Sequence, residues 1–459
     1  MKNYDVAIIG GGIGGLMTAY GLLKSNPKIK IAIFEKGLPL PKRQCPTISN
    51  KTERCANCKI CSIMNGVAGA GAFSDGKFIV STEYGGHLQD FIGEKLAQKY
   101  MQELDNILVE FGAPTKTFSP NNILIDLCEK NGLTIKKGIV KHFGTENNLR
   151  IMNALVHWIE TRCSIFSQCT VTEVDPTTHL IYTESSTSPA FAKYIVFAVG
   201  RSGSKFFIDW CGRHSISTKN HNIDIGVRVE LKAEIWKSIT EITYDPKISY
   251  TSKFYKDETR VFCFNDSGHV VLENTFGAKT VNGHAYQDLE LKTVNSNFAL
   301  LTSIKLTEPF NNPIEYINSI AKNINYLSGG TVIVQRFGDL IMGMRTTPQK
   351  LANSSVKPTL SQAFPGDLSL CIPKRQLDSI IETIYQLDKI APGTAHEDTL
   401  LYGLEGKYYS AAPCENNLEI DGCTQIYACG DGCGITRSLA QAGANGLYLA
   451  DIILSTVHS

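Results

Sequence analysis

The first 36 residues constrain the fold more than any other part of the sequence. An apolar run at residues 6–9 leads into a glycine turn, a segment with helical spacing follows, and a second apolar run ends at Glu35. The turn has the G-x-G-x-x-G pattern at Gly10, Gly12 and Gly15. Such glycines allow a tight turn, close approach of a pyrophosphate and close helix–strand packing, and the acid can accept hydrogen bonds from a ribose. This order predicts a parallel, Rossmann-like α/β sheet with a dinucleotide bound at its edge.

The composition favours an ordinary globular protein without a charged partner. The 459 residues carry 45 basic and 44 acidic side chains, so the formal charge of +1 gives no field that would attract nucleic acid. No apolar run approaches the ~20 residues that span a bilayer, so no membrane partner is expected. Asp5 and the glycines interrupt the N-terminal apolar segment, which is not typical of an export signal. Fourteen cysteines without such a signal favour a reducing compartment, and we expect a cytoplasmic protein.

The far end of the chain carries a second motif, QIYACGDGCGITRSLAQAGANG. It predicts a short strand, a Gly-Asp turn and a long helix, and it resembles the C-terminal flavin motif of the glutathione-reductase-type FAD proteins. By that resemblance, Gly430 and Asp431 would hold the ribityl chain of FAD. The helix N-terminus, at Ala440, Gln441 and Ala442, would face the pyrimidine edge of the flavin, where its dipole stabilises negative charge.

Further matches favour FAD over NAD as the cofactor. The segment KYIVFAVGRSG resembles the strand and turn that return to the cofactor in these proteins, and Val171 matches the position whose backbone meets the adenine. The glycines of GVAGAGAFSDGKF allow close backbone approach to a flat ring or to phosphates, with Ser74 as a polar contact. The residues that we assign to FAD are Gly10, Gly12, Ile13, Gly14, Gly15, Glu35, Lys36, Arg43, Gly71, Ala72, Ser74, Val171, Ala198, Gly200, Gly430, Asp431, Ala440, Gln441 and Ala442.

The order of the motifs predicts a discontinuous cofactor domain with an inserted domain. The predicted FAD-binding domain comprises residues 1–80, 145–215 and 400–459, and the substrate domain comprises residues 81–144 and 216–399. The fold class is therefore α/β, a glutathione-reductase-type FAD-binding domain with an inserted α+β substrate domain.

Local patterns predict elements within the inserted domain. Apolar spacing predicts helices at residues 87–111, 313–327 and 373–390. Alternating runs dominate from about residue 216 to residue 345. The stretch RVFCFNDSGHVVLE predicts a hairpin whose turn lies at residues 266–268.

Several blocks together resemble one family, the FAD-dependent dehydrogenases of bacteria and plastids whose substrate is largely unassigned. The blocks are CANCKIC, GAGAFSDGKF, GVRVEL, RVFCFNDSGHVV, VNGHAY, NFALL, QRFGDL, PGDLS, TLLYGLEGKYYS and GDGCGITRSLAQA, and they run from about residue 5 to about residue 450. The resemblance implies an oxidoreductase and names no substrate. Met344 stands where this family has one of two arginines, which leaves Arg345 alone for a role in binding a substrate anion.

Four cysteines form a C-x9-C-x2-C-x2-C pattern after the second strand, at Cys45, Cys55, Cys58 and Cys61. The spacing suits an iron–sulfur cluster, although the Cys-Pro pair precedes the close triplet here and follows it in bacterial ferredoxins. A structural zinc ion also takes four cysteines. The alternatives are a Cys58–Cys61 dithiol that passes electrons to the flavin, and cysteines that only pack in the loop.

A few other residues are candidates for chemistry. His284 and Tyr286, in VNGHAY, are the candidates for donating a proton to a substrate beside the flavin, with a surface or structural role as the alternative. Arg228 and Glu230 lie on one face of a predicted strand, which predicts an ion pair between them, with contacts to the substrate as the alternative. Lys407 is a candidate for the N5 or N1 side of the flavin, with a solvated lysine as the alternative.

These patterns predict an FAD-dependent oxidoreductase that moves a hydride between flavin N5 and a carbon of a small organic substrate, by reducing or dehydrogenating a C=C bond. The sequence contains no second G-x-G-x-x-G, so an electron-carrier protein or directly docked NAD(P)H is the expected reductant. A flavin-dependent monooxygenase or halogenase is one alternative. A non-catalytic flavoprotein scaffold is the other.

Overall fold

The computed structural model describes residues 2–46, 49, 51–52, 56, 58–275, 277–286, 288–306, 309, 312–407, 410–413, 415–416 and 418–457. The helices are α1 (Ile13–Ser25), α2 (Leu88–Ile92), α3 (Glu94–Glu110), α4 (Asn122–Lys130), α5 (Thr145–Glu160), α6 (Ser204–Arg213), α7 (Lys237–Thr240), α8 (Pro313–Leu327), α9 (Phe337–Ile341), α10 (Pro348–Asn353), α11 (Lys374–Leu387) and α12 (Leu439–Val457). None of the helices in the described part of the chain has the length and apolar character needed to cross a bilayer.

The strands are β1 (Lys2–Ile9), β2 (Ile31–Phe34), β3 (Lys77–Val80), β4 (Thr134–Ile135), β5 (Ile139–His142), β6 (Ser164–Phe166), β7 (Val171–Val174), β8 (Leu180–Thr183), β9 (Ser186–Phe197), β10 (Thr218–Lys219), β11 (Ile223–Lys232), β12 (Ile248–Thr251), β13 (Glu258–Asn265), β14 (His269–Thr275), β15 (Ala278–His284), β16 (Asn295–Ile304), β17 (Ile333–Arg336), β18 (Phe364–Pro365), β19 (Leu400–Lys407), β20 (Ala412–Pro413), β21 (Glu415–Asn416), β22 (Glu419–Ile420) and β23 (Ile426–Ala428). The chain divides into two compact units. Unit 1 comprises Met1–Thr115, Glu146–His221 and Tyr409–Ser459, and unit 2 comprises Lys116–Thr145 and Asn222–Tyr408.

The core of unit 1 is a sheet whose strands run parallel in the order β23-β9-β1-β2-β6. In the central strand, Val6 pairs with Ile31 of β2 on one side and with Tyr194 of β9 on the other. The last four residues of β1 and all of β2 are buried at consecutive positions, as expected of parallel strands covered on both faces. The predicted strand–turn–helix–strand order and the α/β fold class are therefore confirmed.

The first and last helices of unit 1 pack with their backbones in direct contact. A Cβ built on Gly446 of α12 would lie 2.2 Å from the carbonyl oxygen of Gly14 in α1. One turn further on, a Cβ built on Gly21 of α1 would lie 2.7 Å from the Cβ of Ala450. These glycines let α12 lie directly on α1, so the two ends of the sequence form one helical layer on the sheet.

The segment at residues 81–115 lies in unit 1, whereas we predicted it in the inserted domain. Its helix α3 packs against α12, where the Tyr100 hydroxyl donates a hydrogen bond of 2.7 Å to Asp451. The rings of Tyr100 and Tyr448 also meet edge to face, with centroids 5.5 Å apart. Contacts between elements far apart in the sequence thus decide the membership of this segment.

Unit 2 contains a sheet in the order β18-β17-β19-β11-β16-β13-β12-β4, in which β17 and β18 are parallel and the other neighbours are antiparallel. One face of β11, with Ile225 and Val229, packs in a core with Ile317 of α8 and Ile380 of α11. Because side chains alternate along a strand, Arg228 lies on the opposite face, where it is also buried.

The local predictions made for the inserted domain are confirmed for its helices and wrong for its hairpin. Helices α8 and α11 confirm the predicted helical spacing, and residues 87–111 form α2 and α3 with a break at Gly93, whose φ is +81°. The predicted hairpin between β13 and β14 is wrong. The chain does turn at Ser267, but β13 pairs with β12 and β16 on its two edges, and β14 pairs with β15.

The helix contact yields a prediction about stability. Gly446→Ala should destabilise the protein by about 1–3 kcal/mol, because the new methyl group meets the α1 backbone and α12 must shift. The matched control is Gly212→Ala at an exposed position of α6, where a Cβ meets nothing within 4 Å. This variant should be neutral or more stable by up to ~1 kcal/mol. Urea unfolding midpoints measure both changes. Equal midpoints for the two variants would contradict the helix contact.

Candidate functional site

The carboxyl ends of the parallel strands in unit 1 meet at one edge of the sheet. Backbone hydrogen bonds of 2.8 Å join the residue after one strand to the last residue of its neighbour, from Gly10 N to Phe34 O, Ala198 N to Ile9 O and Cys429 N to Phe197 O. Parallel sheets bind ligands at this edge because the strand ends and helix N-termini converge there. The edge therefore brings together the first, middle and last sequence motifs.

The glycine turn between β1 and α1 is closed by contacts that exclude side chains. Gly10 has a φ of +112°, and a Cβ there would lie 2.2 Å from the carbonyl oxygen of Ala198. A Cβ on Gly15 would lie 2.3 Å from the Gly10 carbonyl oxygen. Gly12 caps α1 without a side-chain hydrogen bond, and the first turn, which begins at Ile13, contains no acidic residue. The N–H groups and positive dipole end of α1 are thus left for a bound anion.

Glu35 is buried at this edge and accepts three backbone hydrogen bonds. Gly37 and Gly66 donate to Oε1 at 2.8 and 3.0 Å, and Gly11 donates to Oε2 at 2.9 Å. An ionised carboxylate has about four acceptor positions, so one position at Oε2 remains for a hydroxyl group. The carboxylate that we predicted to bind ribose thus also links the glycine turn to the backbone at Gly37 and Gly66.

Arg43 lies behind the glycine turn and is almost fully buried. Its guanidinium donates to four backbone carbonyl groups, of Ser62, Ile63, Val67 and Gly69, at 2.7–2.9 Å. Burial lowers the pKa of Arg43 to about 10, and the Glu35 carboxylate partly offsets the effect. These bonds shape residues 62–69, so Arg43 acts on the site by fixing the loop that packs against the glycine turn.

The turn at residues 69–74 is anchored from α5. The buried Asn148 side chain donates to the carbonyl oxygens of Gly71 at 2.7 Å and Ser74 at 3.1 Å. Ala72 is fully buried within this turn, and a Cβ on Gly69 would lie 3.0 Å from the Cα of Gly12. The anchor sets the distance between the turn and the start of α1. Neither Asn148 nor its role was predicted, because an isolated asparagine in a helix has no sequence pattern.

The Gly-Asp turn follows β23 and is held by side chains from α12 and from the turn itself. Gly430 donates its N–H to the buried Asn445 Oδ1 at 2.9 Å, and Thr436 donates to Asp431 Oδ1 at 2.7 Å. Burial raises the pKa of the Asp431 carboxyl above its ordinary value, although the Arg201 cation opposes this effect. A Cβ on Gly430 or on Gly200 would meet nothing within 4 Å, so both glycines border open space.

The first turn of α12 is buried and tied to the loop before α2. Ala440, Gln441 and Ala442 are all buried. The Gln441 side chain accepts a hydrogen bond from Leu88 N at 3.3 Å and donates one to Ser81 O at 3.4 Å. Both polar ends of Gln441 thus bind protein backbone.

Two other predicted residues lie at the border of the site. The Lys36 ammonium donates to the carbonyl oxygen of Ser202 at 3.1 Å. Burial lowers the pKa of Lys36, and the adjacent Glu35 carboxylate opposes that shift. Val171 is buried at the start of β7, close in sequence to Cys169, whose N–H donates to Glu35 O at 2.9 Å.

These features fit FAD. The anion-binding end of α1, the remaining acceptor position of Glu35 and the Asp431 carboxyl are separate polar groups along one edge of the sheet. The glycines between them keep the backbone accessible, and Gly200 and Gly430 have room beside them. The residues present therefore suit an extended ligand with phosphate and hydroxyl groups.

The cysteine pattern does not form a ligand set in the described part of the chain. Cys45 and Cys61 are half-buried, Cys58 is exposed, and all three are free thiols. Cys55 lies outside the described residues. Among the described residues, no three His, Cys, Asp or Glu side chains come together in a group that could hold a metal ion. The three described thiols thus do not fit an iron–sulfur cluster or a zinc ion.

The predicted proton donors lie in unit 2, next to a third aromatic ring. The rings of His284 and Tyr286 meet edge to face at 4.9 Å, and that of His269 lies 6.0 and 5.8 Å from them. His269 Nε2 lies 2.9 Å from the carbonyl oxygen of Leu291. Since a carbonyl only accepts, this nitrogen carries a proton. Pairing of β14 with β15 places His269 opposite His284, which the predicted β13–β14 hairpin did not.

The predicted ion pair between Arg228 and Glu230 is wrong. Arg228 instead forms a two-pronged pair with Glu405 of the neighbouring strand β19, at 2.9 Å for both bonds. Burial alone would raise the pKa of Glu405, but Arg228 and Lys407 outweigh it and hold that pKa below its ordinary value. Lys407 lies 3.0 Å from Glu405 and is mostly buried, so it is not the solvated lysine of the alternative prediction.

Glu230 has neutral partners and a different electrostatic state. Burial raises its pKa, although it accepts hydrogen bonds from Thr359, Tyr402 and Asn295. Asn295 of β16 and Tyr402 of β19 come from the two strands that pair with β11, and Thr359 comes from the loop after α10.

A pair of histidines that the sequence did not single out lies beside the Gly-Asp turn. The rings of His87 and His221 stack with centroids 4.5 Å apart and an interplanar angle of 4°. His87 Nδ1 lies 3.1 Å from Asp90 Oδ2, and His221 Nε2 is buried without a hydrogen-bond partner among the described residues. Burial lowers the pKa of His221 to about 4, and the positive charges of His87 and Arg437 add to the shift. Two isolated histidines 134 residues apart give no sequence signal.

No protein-family profile matches the chain. An uncharacterized protein of Clostridium beijerinckii is 24% identical over 469 aligned residues, which cover 97% of this chain and 80% of that protein. The solved structure of glycine oxidase from Geobacillus kaustophilus is 11% identical, covers 99% of this chain and 95% of its own, and has a TM-score of 0.43. The L-α-glycerophosphate oxidase of Mycoplasma pneumoniae, solved with FAD bound, is 12% identical with the same coverage of 99% and 95% and a TM-score of 0.41. These similarities assign the chain to no family.

The buried histidine yields a prediction about pH. Because the pKa of His221 is lowered to about 4 from its ordinary 6.5, the unfolded chain binds a proton there between these values and the folded chain does not. Stability should therefore fall as the pH drops through this window, and His221→Gln should lose part of that dependence. Urea midpoints at pH 7.5 and pH 5 measure it, with the exposed His157→Gln as control. An identical pH dependence in wild type and His221→Gln would contradict the assignment.

Proposed function

We propose that the chain is an FAD-dependent oxidoreductase that transfers a hydride between flavin N5 and a carbon of a small organic substrate, by reducing or dehydrogenating a carbon–carbon bond. The observation that carries the proposal is the carboxyl edge of the unit 1 sheet. There the uncapped start of α1, the acceptor position of Glu35 and the Asp431 carboxyl follow strands that end side by side. A nicotinamide dinucleotide uses the first two groups, and the Gly430–Asp431 turn is an additional polar site that suits the ribityl hydroxyls of FAD.

Each group at the edge has its own task in this proposal. The N–H groups at the start of α1 bind the pyrophosphate, whose charge the helix dipole stabilises. Glu35 Oε2 accepts a hydrogen bond from the ribose, while the other Glu35 bonds keep the turn in place. Asp431 holds the ribityl chain, and Thr436 fixes the orientation of its carboxyl group. FAD, when bound, supplies the two-electron chemistry.

We assign the handling of the substrate proton to unit 2. His284 is the proposed donor, because it lies in a cluster of three rings with hydrogen-bonding groups and borders the buried polar face. Its neighbour Gly283 packs closely against two buried side chains. A Cβ built on Gly283 would lie 2.4 Å from Arg228 Nη1 and 2.2 Å from Asn297 Oδ1. The strand that carries His284 thus packs directly against the Arg228–Glu405 pair. Tyr286, edge-on to His284, limits the rotation of the imidazole ring.

The proposed reaction requires a reductant that reduces the bound flavin. A small electron-carrier protein or NAD(P)H would deliver two electrons to the bound flavin. Anaerobic mixing of the protein with NADH, NADPH or a reduced ferredoxin, followed by loss of flavin absorbance, identifies the donor. Rapid reoxidation by oxygen, coupled to hydroxylation or halogenation of an added substrate, would instead support the monooxygenase or halogenase alternative. A flavin that no donor reduces would support the scaffold alternative.

Cofactor retention tests the proposal directly. The purified protein should carry FAD, and Glu35→Gln and Asp431→Asn should each weaken its binding about ten- to a hundredfold, because each removes a charge-assisted hydrogen bond of about 1.5–3 kcal/mol. Flavin content after gel filtration and fluorescence titration of the apoprotein measure the effect. The control is Glu160→Gln at the exposed end of α5. Full FAD occupancy in both site variants would overturn the assignment, and protein that never binds FAD would overturn the proposed function.

The cysteine loop gives a separate test. An iron–sulfur cluster or zinc ion would need Cys45, Cys55, Cys58 and Cys61 as one unit, so all four serine variants would lose metal and flavin alike. Since the three described thiols do not form a ligand group, we expect Cys45→Ser to keep the flavin content of the wild type. Iron, zinc and flavin assays on anaerobically purified variants measure this. Equal loss of a bound metal in all four variants would establish the metal site, and loss of flavin reduction in Cys58→Ser and Cys61→Ser alone would indicate a dithiol relay.

A further inference from the structure

The stacked histidine pair is built into the segment that links the Gly-Asp turn to α12. His87 donates its backbone N–H to Ile435 O at 2.9 Å, and Arg437 N donates to Gly85 O at 3.0 Å. The backbone of Gly434 forms a hydrogen bond with His221. Three segments that are distant in the sequence, at residues 85–87, 218–221 and 434–437, thus meet around the two rings.

Charged groups of both signs lie near the pair. Asp90 on α2 contacts His87, and the Arg437 cation disfavours a proton on His221, as does a proton on His87. Arg437 also acts on Asp431, whose carboxyl group contacts Thr436. Among the described residues, Asp90 and Arg437 act on the pair directly, and Asp431 acts on Arg437.

The geometry allows the pair to hold one proton and not two. Parallel imidazole rings with centroids 4.5 Å apart repel each other strongly when both are charged. Asp90 stabilises a proton on His87, whereas burial and Arg437 oppose one on His221. The His87 side chain is 30% exposed and Asp90 is 62% exposed, so the shared proton can exchange with water.

We propose that the His87–His221 pair binds a proton when the adjacent flavin is reduced, and that it thereby sets how the reduction potential of bound FAD depends on pH. This inference rests on the proposed function, in which α12 begins at the pyrimidine edge of the flavin. Addition of two electrons and one proton to a flavin leaves one extra negative charge on it. A second proton, taken from water and held by the pair, balances that charge, so reduction and protonation favour each other.

The role differs from that of His284, which donates a proton to the substrate. The histidine pair does not touch the substrate in this scheme, and it acts on the flavin through its charge. His87 and His221 are therefore positioning residues for the cofactor. Their effect should appear in the potential of the flavin even when no substrate is present.

The test measures the midpoint potential of the FAD-loaded protein between pH 5.5 and 8.5, with dithionite as reductant and a reference dye. The wild type should show a steep region in which the potential falls by about 30 mV per pH unit more than in His87→Phe, because one proton per two electrons changes the equilibrium constant tenfold per pH unit. His87→Phe keeps a flat ring for the stack and cannot bind a proton. Asp90→Asn, on an exposed side chain, should move the steep region to lower pH.

The control is His157→Phe, which removes an exposed histidine with the same spacing and the same 3.1 Å contact to an acid, Glu160, on α5. Its potential should follow that of the wild type at every pH. Equal slopes in wild type and His87→Phe would overturn the proposal, as would an equal change in the control. If His87→Phe loses FAD, the Asp90→Asn variant provides the test instead. A midpoint potential that depends on pH in Asp90→Asn as it does in the wild type would then overturn the proposal. Wild-type protein without FAD would overturn the proposed function and this inference together, whereas FAD retention with equal slopes overturns the inference alone.

Discussion

Direct backbone contact between glycine-bearing segments is the constraint on which the candidate site depends. Gly10 faces the carbonyl group of Ala198, Gly432 that of Gly200, and Gly446 that of Gly14, with 2.1–2.2 Å available for any Cβ. A side chain at any of these positions would separate the strand ends or the two helices. The contacts thus bring three distant parts of the chain within reach of one ligand, and they leave backbone N–H groups as the surface that meets it.

Buried polar side chains then hold the loops at this edge in shape. Among the described residues, the Arg43 guanidinium donates to four backbone carbonyl groups and has no directly bonded carboxylate. Such a group is costly to bury and is stable here because several of its N–H groups have acceptors and Glu35 lies nearby. Glu35 itself joins three loop segments through its N–H partners. Because the Glu35 carboxylate both joins these loops and is the proposed acceptor for the ribose, binding of the cofactor and folding of the loops are coupled.

The sheet of unit 2 has one apolar buried face, and its other buried face combines charged and polar groups with a smaller apolar cluster that includes Val334 and Tyr402. The apolar face packs under α8 and α11, while the polar face carries the Arg228–Glu405 pair and the Glu230–Tyr402 contact. Removal of one partner from such a pair leaves an uncompensated charge in the interior, which is strongly destabilising. Gly283 packs directly against Arg228, so the buried pair is in contact with the strand that ends at His284.

The amino-acid sequence was sufficient to predict the local elements and the motif of the dinucleotide site. Consecutive apolar residues before Gly10, the glycine spacing and the acid at Glu35 specify β1, α1 and β2 because each acts through its immediate neighbours. The amphipathic spacing at residues 313–327 likewise specified α8 to the residue. Tertiary structure alone decided the rest. Arg228, β13 and α3 each find their partners in segments tens to hundreds of residues away. The same is true of the contacts that bring Arg43, Asn148 and the two stacked histidines to the edge of the sheet. Periodicity and spacing carry information about a residue's own element, whereas a hydrogen bond or a ring stack depends on which elements become neighbours when the sheet forms.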